Sequence, residues 1–149
     1  MQIETLSPHH SVIIQLGHEQ QAEIAAGEGD AHIPYPVHDG IEYVAGFVAG
    51  RPVACGAVQP IGAGVGEVKR MYVRPAYRGN GYGRLILAAL EELAMQRGFH
   101  ALRLETGRNL APALGLYRGA GYRPIPLYGE YVGNPISVCF EKSLLSVEV

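Results

Sequence analysis

Several things are scarce in this chain of 149 residues, and each scarcity narrows what it can do. Cysteine occurs only as Cys55 and Cys139, which form no metal-spaced pair. They read as reduced, buried thiols, with a disulfide between them left open. Neither sign of charge predominates, since 12 Lys and Arg stand against 14 Asp and Glu. A nucleic-acid partner would call for a basic excess or a basic stripe, so none is expected. No apolar run reaches the ~20 residues that span a bilayer. Met1–Thr5 also lacks the basic and apolar regions of a secretory signal. Histidines offer no ligand-spaced group: His9 and His10 are adjacent at a helix start, and His18, His32, His38 and His100 stand apart. No internal repeat, low-complexity tract or linker divides the chain. The expectation is one cytoplasmic domain over residues 1–149, with no metal, nucleic-acid or membrane partner.

What is present is ordinary globular material, 48% hydrophobic and 17% charged. Met1–Leu6 reads as a strand, followed by a Ser7-Pro8 helix start and a helix from His9 to Ala26. Residues 27–40 read as a long loop punctuated by Gly27, Gly29, Pro34, Pro36 and Gly40, and long loops in compact domains are often functional. Glu42–Val48 and Pro52–Val58 form a hairpin about Ala49-Gly50-Arg51. A glycine-rich link (Gly62, Gly64, Gly66) leads into a strand over Glu67–Val73. Arg84–Arg97 carries the clearest amphipathic helix, with Leu85, Ile86, Ala89, Leu90, Leu93 and Ala94 on one face and Gly98 as its terminator. His100–Thr106 alternates as a strand, Ala111–Arg118 is a second helix, and further strands fall near Tyr122–Pro124 and Ile136–Glu141. Antiparallel hairpins followed by a strand–helix–strand unit predict an α+β fold with one central sheet.

The stretch richest in chemistry is Arg78-Gly79-Asn80-Gly81-Tyr82-Gly83-Arg84, between a strand and the amphipathic helix. Glycines permit positive φ and close backbone approach. The first N–H groups of a helix lack internal partners and sit at the positive end of its dipole, which together suit phosphate oxygens. Arg78 and Arg84 add charge. The plainer reading is a tight turn that needs glycine for geometry alone. A Walker loop would need Lys and then Ser or Thr after the last glycine, where Arg84-Leu85 stands. A dinucleotide fingerprint would need glycine at Arg84.

Three ordered segments resemble the GNAT superfamily of N-acetyltransferases. Arg78, Gly81 and Gly83 match its Arg/Gln-x-x-Gly-x-Gly/Ala signature, and Lys69-Arg70-Met71-Tyr72-Val73-Arg74-Pro75 resembles its fourth strand and the exit from it. Leu116-Tyr117-Arg118-Gly119-Ala120-Gly121-Tyr122 resembles its LY-x-x-x-G-F/Y segment. The likeness covers residues 66–145 well and the N-terminal third in outline. It implies a mixed, mostly antiparallel sheet splayed between strands four and five and flanked by helices.

The resemblance further implies an acyltransferase that moves acetyl from acetyl-CoA to a primary amine of a small molecule or peptide by direct attack. Backbone of Met71, Tyr72 and Val73 would bond the pantetheine arm, with an N–H near Val73 holding the oxyanion. Gly79, Asn80, Gly81, Tyr82, Gly83 and Arg84 would cradle the pyrophosphate next to Arg78. Glu67 is the candidate base, against a strand-end carboxylate in water or in a salt bridge with Lys69. Tyr117 is the candidate general acid, against a core tyrosine.

Many members carry Asn seven residues before this tyrosine; that position is Leu110 here, and Asn109 one residue earlier is the candidate cofactor contact. Glu28 and Asp30 are candidates for binding the cationic amine, or are solvated loop residues. Tyr128 and Tyr131 are candidate walls of the acceptor pocket, or loop packing. Members often dimerise, so a homodimer is possible. The competing classes are a non-catalytic acyl-CoA-binding module and a nucleotide-binding domain.

Overall fold

A computed structural model describes residues 1–26 and 39–144. Its elements are β1 (Gln2–Leu6), α1 (Ser11–Ala26), β2 (Glu42–Val48), β3 (Arg51–Gly62), β4 (Val65–Val73), α2 (Tyr82–Gln96), β5 (Ala101–Gly107), α3 (Ala111–Gly119), β6 (Arg123–Ile125) and β7 (Ser137–Ser143). They build one seven-stranded sheet in the order β1-β2-β3-β4-β5-β7-β6, antiparallel throughout except where β4 meets β5. The expected mixed sheet is thus observed.

Local chemistry sets most boundaries. The β2–β3 hairpin turns through Ala49 and Gly50, at φ 49° and 77°. This is the left-handed pair whose twist suits a two-residue hairpin. α1 starts two residues later than expected, because Ser7–His10 forms a turn closed by His10 N–H donating to the Ser7 carbonyl at 3.0 Å. His10 Nδ1 then accepts the Val12 N–H at 3.1 Å, satisfying a first-turn donor. α2 starts two residues earlier than expected, at Tyr82, directly after Gly81 at φ 79°. It ends in a left-handed glycine, Gly98 at φ 82°, with Phe99 N–H reaching the Ala94 carbonyl at 2.9 Å. Leu85, expected on the buried face, is exposed, and Leu87 is buried in its place.

The sheet buries both faces. Val44, Val58, Val68, Leu102, Leu104 and Phe140 pack with Ile86, Leu90 and Leu93 of α2. On the other face Tyr43, Ala45, Cys55, Ala57 and Tyr72 pack with Ile13 and Leu16 of α1. The alternation of strand residues between two cores is what period-2 geometry requires.

One irregularity matters most. Cys55 opposes Tyr72 and Ala57 opposes Lys69, so Gly56 alone faces the two residues Arg70 and Met71. This bulge puts Arg70 at φ 60°, a left-handed conformation that costs a side-chain-bearing residue about 1–3 kcal/mol. Gly56 gives the bulge room: a Cβ there would stand 2.8 Å from Met71 Sδ and 2.9 Å from both Ile86 Cγ2 and Leu90 Cδ1.

Both cysteines are free and buried, which settles the open disulfide question. Burial is the main reason the Cys55 thiol is pushed up to about 12 and the Cys139 thiol is also raised. Native protein at pH 8 should therefore leave a thiol reagent such as Ellman's unreacted, whereas guanidinium-unfolded protein should titrate both thiols. Rapid reaction in the native state would contradict the burial. Gly56→Ala should lower stability by roughly 1–3 kcal/mol through overpacking, read as a lower urea midpoint. An unchanged midpoint would show that α2 and β4 yield freely.

Candidate active site

β4 and β5 pair in parallel over three positions only, Val65↔Ala101, Gly66↔Leu102 and Glu67↔Arg103. Beyond them β4 stays with β3 as far as Ala54↔Val73, and β5 stays with β7 as far as Gly107↔Ser137. Val68–Val73 and Leu104–Gly107 therefore diverge like the arms of a V. The gap is a cleft of about 560 Å³, continuous with the start of α2 and lined also by α1 and α3.

The cleft brings together many of the residues singled out from sequence: Met71, Tyr72, Val73, Arg78, Gly79, Gly81, Tyr82, Gly83, Tyr117 and Tyr131. Asn80 and Arg84 flank it. Asn80 Nδ2 donates to the Tyr77 carbonyl at 3.0 Å, bracing the loop, and Arg84 Nη2 donates to the Gly119 carbonyl at 2.8 Å, tying α2 to α3. Asn109 lies in an exposed turn, whereas Leu110 lines the cleft. Glu28 and Asp30 fall outside the described residues.

At the mouth of the cleft Gly79 and Gly81 have φ of 82° and 79°, and a Cβ on either would meet nothing within 4 Å. Their requirement is conformational. Among the described residues, no backbone acceptor takes the N–H groups of residues 79–84; the first helical bond runs from Leu85 N–H to the Gly81 carbonyl at 3.2 Å. No side chain caps α2 either. These six donors lie at and just before the positive end of a 15-residue helix, an arrangement suited to an anion.

The exposed edge of β4 is partly committed. Arg74 N–H bonds the Val53 carbonyl at 2.8 Å on the β3 side. By alternation the Val73 peptide groups face the cleft edge. There the Val73 carbonyl accepts from Arg78 Nε at 2.8 Å, and the Met71 carbonyl accepts from Gln20 Nε2 at 2.9 Å. A carbonyl has two lone pairs, so neither is saturated. Arg78, expected to add charge beside the glycine turn, is itself paired: its Nη2 meets both Glu23 carboxylate oxygens, at 2.8 and 2.9 Å. Arg74 pairs in parallel with Glu19, through contacts of 2.9 and 2.7 Å. That pairing holds the Glu19 carboxyl below its usual range.

Deeper in, where β4 leaves β5, Glu67 is only 3% exposed. Its Oε2 accepts from Tyr128 Oη at 2.5 Å and its Oε1 lies 3.5 Å from Lys69 Nζ. Burial rules out a carboxylate in water, and the Lys69 salt bridge is present within a larger, partly buried network. Tyr131 is buried close enough to Glu67 for the carboxylate to raise its phenol pKa, and it also lines the cleft. Burial and the facing Glu67 raise the phenol pKa values of Tyr128 and Tyr131. Sequence reasoning named both tyrosines yet missed their link to Glu67, about sixty residues away in the chain. Tyr117 is buried with its ring edge-on to Tyr122, and it lines the cleft from α3. Burial, aided by Glu105, raises its pKa above that of an ordinary phenol, which is itself protonated at neutral pH.

Comparison with known proteins agrees with this geometry. Residues 15–122 match the model of the Acetyltransferase (GNAT) family. An IAA acetyltransferase of Azospirillum brasilense is 39% identical over 105 residues, covering 70% of this chain and 69% of the relative. An uncharacterized N-acetyltransferase of Schizosaccharomyces pombe is 34% identical over 110 residues, covering 72% and 67%. Among solved structures, a protein provisionally named an acyl-CoA N-acyltransferase from Klebsiella pneumoniae superposes with a TM-score of 0.84 at 34% identity, over 97% of both chains. The PaiA N-acetyltransferase of Thermoplasma acidophilum, solved with coenzyme A, shares the fold, with a TM-score of 0.71 at 17% identity over 96% of this chain and 99% of that one. The splayed strands, the uncapped glycine turn and these likenesses have one reading: the chain belongs to the GNAT family and is an N-acetyltransferase.

Proposed function

We propose that the enzyme takes its acetyl group from acetyl-CoA and transfers it to a primary amine of a small molecule or peptide by direct attack. The observation that carries this reading is the opened β4–β5 pair running into the N–H groups of residues 79–84, at and just before the start of α2, which have no backbone acceptor among the described residues. Those residues fit the coenzyme: an extended edge suits an amide-bearing arm, and a glycine turn at a helix N-terminus suits a diphosphate. The N–H groups of residues 79–84 would hold the diphosphate, and the cleft edge of Met71, Tyr72 and Val73 would hold the arm. Acetyl-CoA supplies an activated acyl thioester, so the protein needs no nucleophile of its own.

The chain's own residues then have three tasks. Val73 N–H, on the cleft edge, is placed to stabilise negative charge developing on the acyl oxygen. Tyr117, a protonated phenol at neutral pH, is the donor for the departing sulfur. Glu67 is the proton acceptor for the amine. Because Glu67 is buried and Tyr131 lies near it while lining the cleft, Tyr131 is the relay through which the proton reaches the carboxylate.

Release of free thiol from acetyl-CoA across a panel of amines tests the proposal, and a module that only binds the coenzyme would release none. Tyr117→Phe should lower kcat by ~10- to 1000-fold while leaving the Kd for acetyl-CoA unchanged. An unchanged kcat under conditions where acetyl transfer limits the rate would remove Tyr117 from the mechanism.

A further inference from the structure

Three described arginines are neither exposed nor fully buried: Arg70, Arg74 and Arg103. Arg74 is paired with Glu19 and Arg103 with Glu141, each at 2.7 Å. Arg70 has no carboxylate and no hydrogen-bond partner for its side chain among the described residues. The other cations lining the cleft are spoken for: Arg78 by Glu23, and Lys69 by Glu67 and by Glu130 at 3.7 Å. The α1 glutamates nearest this arginine row are likewise taken, Glu19 by Arg74 and Glu23 by Arg78.

Arg70 also stands in an unusual place. It lines the main cleft and, together with Gln20 and Gln21, a second cavity of about 420 Å³ between α1 and the sheet, where Tyr43 and Cys55 lie. Its backbone sits in the left-handed region at the bulge, so its side chain leaves β4 in a direction that regular pleating would not give. A partly buried guanidinium is costly to leave without an anion, and its planar fork matches a carboxylate.

We propose that Arg70 receives a carboxylate of the acceptor, so that the amine substrate is an amino acid or similar amino-carboxylate and not a simple amine or polyamine. A single guanidinium matches a monoanion of this kind. The assignment rests on the transfer reading above and deepens it by naming the acceptor class. It uses the α1 side of β4, away from the glycine turn that would hold the coenzyme, so the two halves of the site are separable by mutation.

The test compares matched acceptors, amino acids against their carboxamides and decarboxylated amines, with thiol release from acetyl-CoA as readout. Wild type should favour the best amino acid over its carboxamide by about 10- to 100-fold in kcat/KM. Arg70→Gln should erase that preference mainly by raising KM for the carboxylate acceptor. It should leave kcat/KM for the carboxamide and the Kd for acetyl-CoA unchanged, and Arg70→Lys should restore part of the preference. An unchanged coenzyme Kd also shows that the variants are folded. Equal use of carboxamides by wild type, or an equal loss on both acceptors in Arg70→Gln, would overturn the acceptor assignment while leaving the transfer reading standing. Failure of wild type to bind acetyl-CoA would overturn the transfer reading, and this assignment with it.

Discussion

A strand can hydrogen-bond along two edges, and the organisation of this protein follows from β4 using only one of them for most of its length. β4 pairs with β5 only as far as Glu67, and the bulge at Arg70 and Met71 opposite Gly56 follows three residues on. β5 pairs with β7 and β4 with β3 along their other edges, and beyond Glu67 the peptide edges facing each other have no strand to satisfy them. Backbone donors and acceptors without partners are costly unless solvent or a ligand meets them. The cleft is the direct result. The strain at Arg70 is tolerated because both cores, with α2 on one face and α1 on the other, fix the strands on either side of the bulge.

Charge is arranged around this opening with little left over. Glu19 and Glu23, one turn apart on α1, hold Arg74 and Arg78 at the exit of β4, which clamps the helix over the end of the cleft. Such pairs, partly exposed, contribute modestly to stability, about 0–1 kcal/mol each. Their larger effect is positional, because Arg78 also grips the Val73 carbonyl and so sets the strand end from which the glycine turn departs. On the other side, Glu67 is buried between a hydrogen bond from Tyr128 and an ion pair with Lys69, partners that hold its carboxylate in one place.

Much of this was legible in the sequence where a local rule applied. Positive φ at Gly79 and Gly81 and the C-terminal Gly98 were visible because only glycine takes those conformations cheaply. The helix over 82–96 was visible from its period, and the hairpin about Ala49-Gly50 from its turn residues. Boundaries slipped where hydrogen bonding beyond the pattern decided them, as at Ser7–His10. Nothing in the sequence marked Arg70 as left-handed, since non-glycine residues carry no signature for it. Nor did it show which carboxylate meets which arginine: Glu19 and Arg74, and Glu23 and Arg78, are each 55 residues apart and meet only through tertiary packing. The family motifs pointed to Tyr117 and Glu67 individually. That Tyr131 lies near Glu67 and also lines the cleft was knowable only from the fold.

The account turns on where a coenzyme would lie, and a crystal structure of the protein grown with acetyl-CoA tests that most directly. The diphosphate should lie within about 3 Å of backbone nitrogens in the 79–84 turn, with the pantetheine arm along the open edge of β4. A coenzyme bound elsewhere, or residues 68–73 and 104–107 hydrogen-bonded to each other with no arm between them, would contradict it.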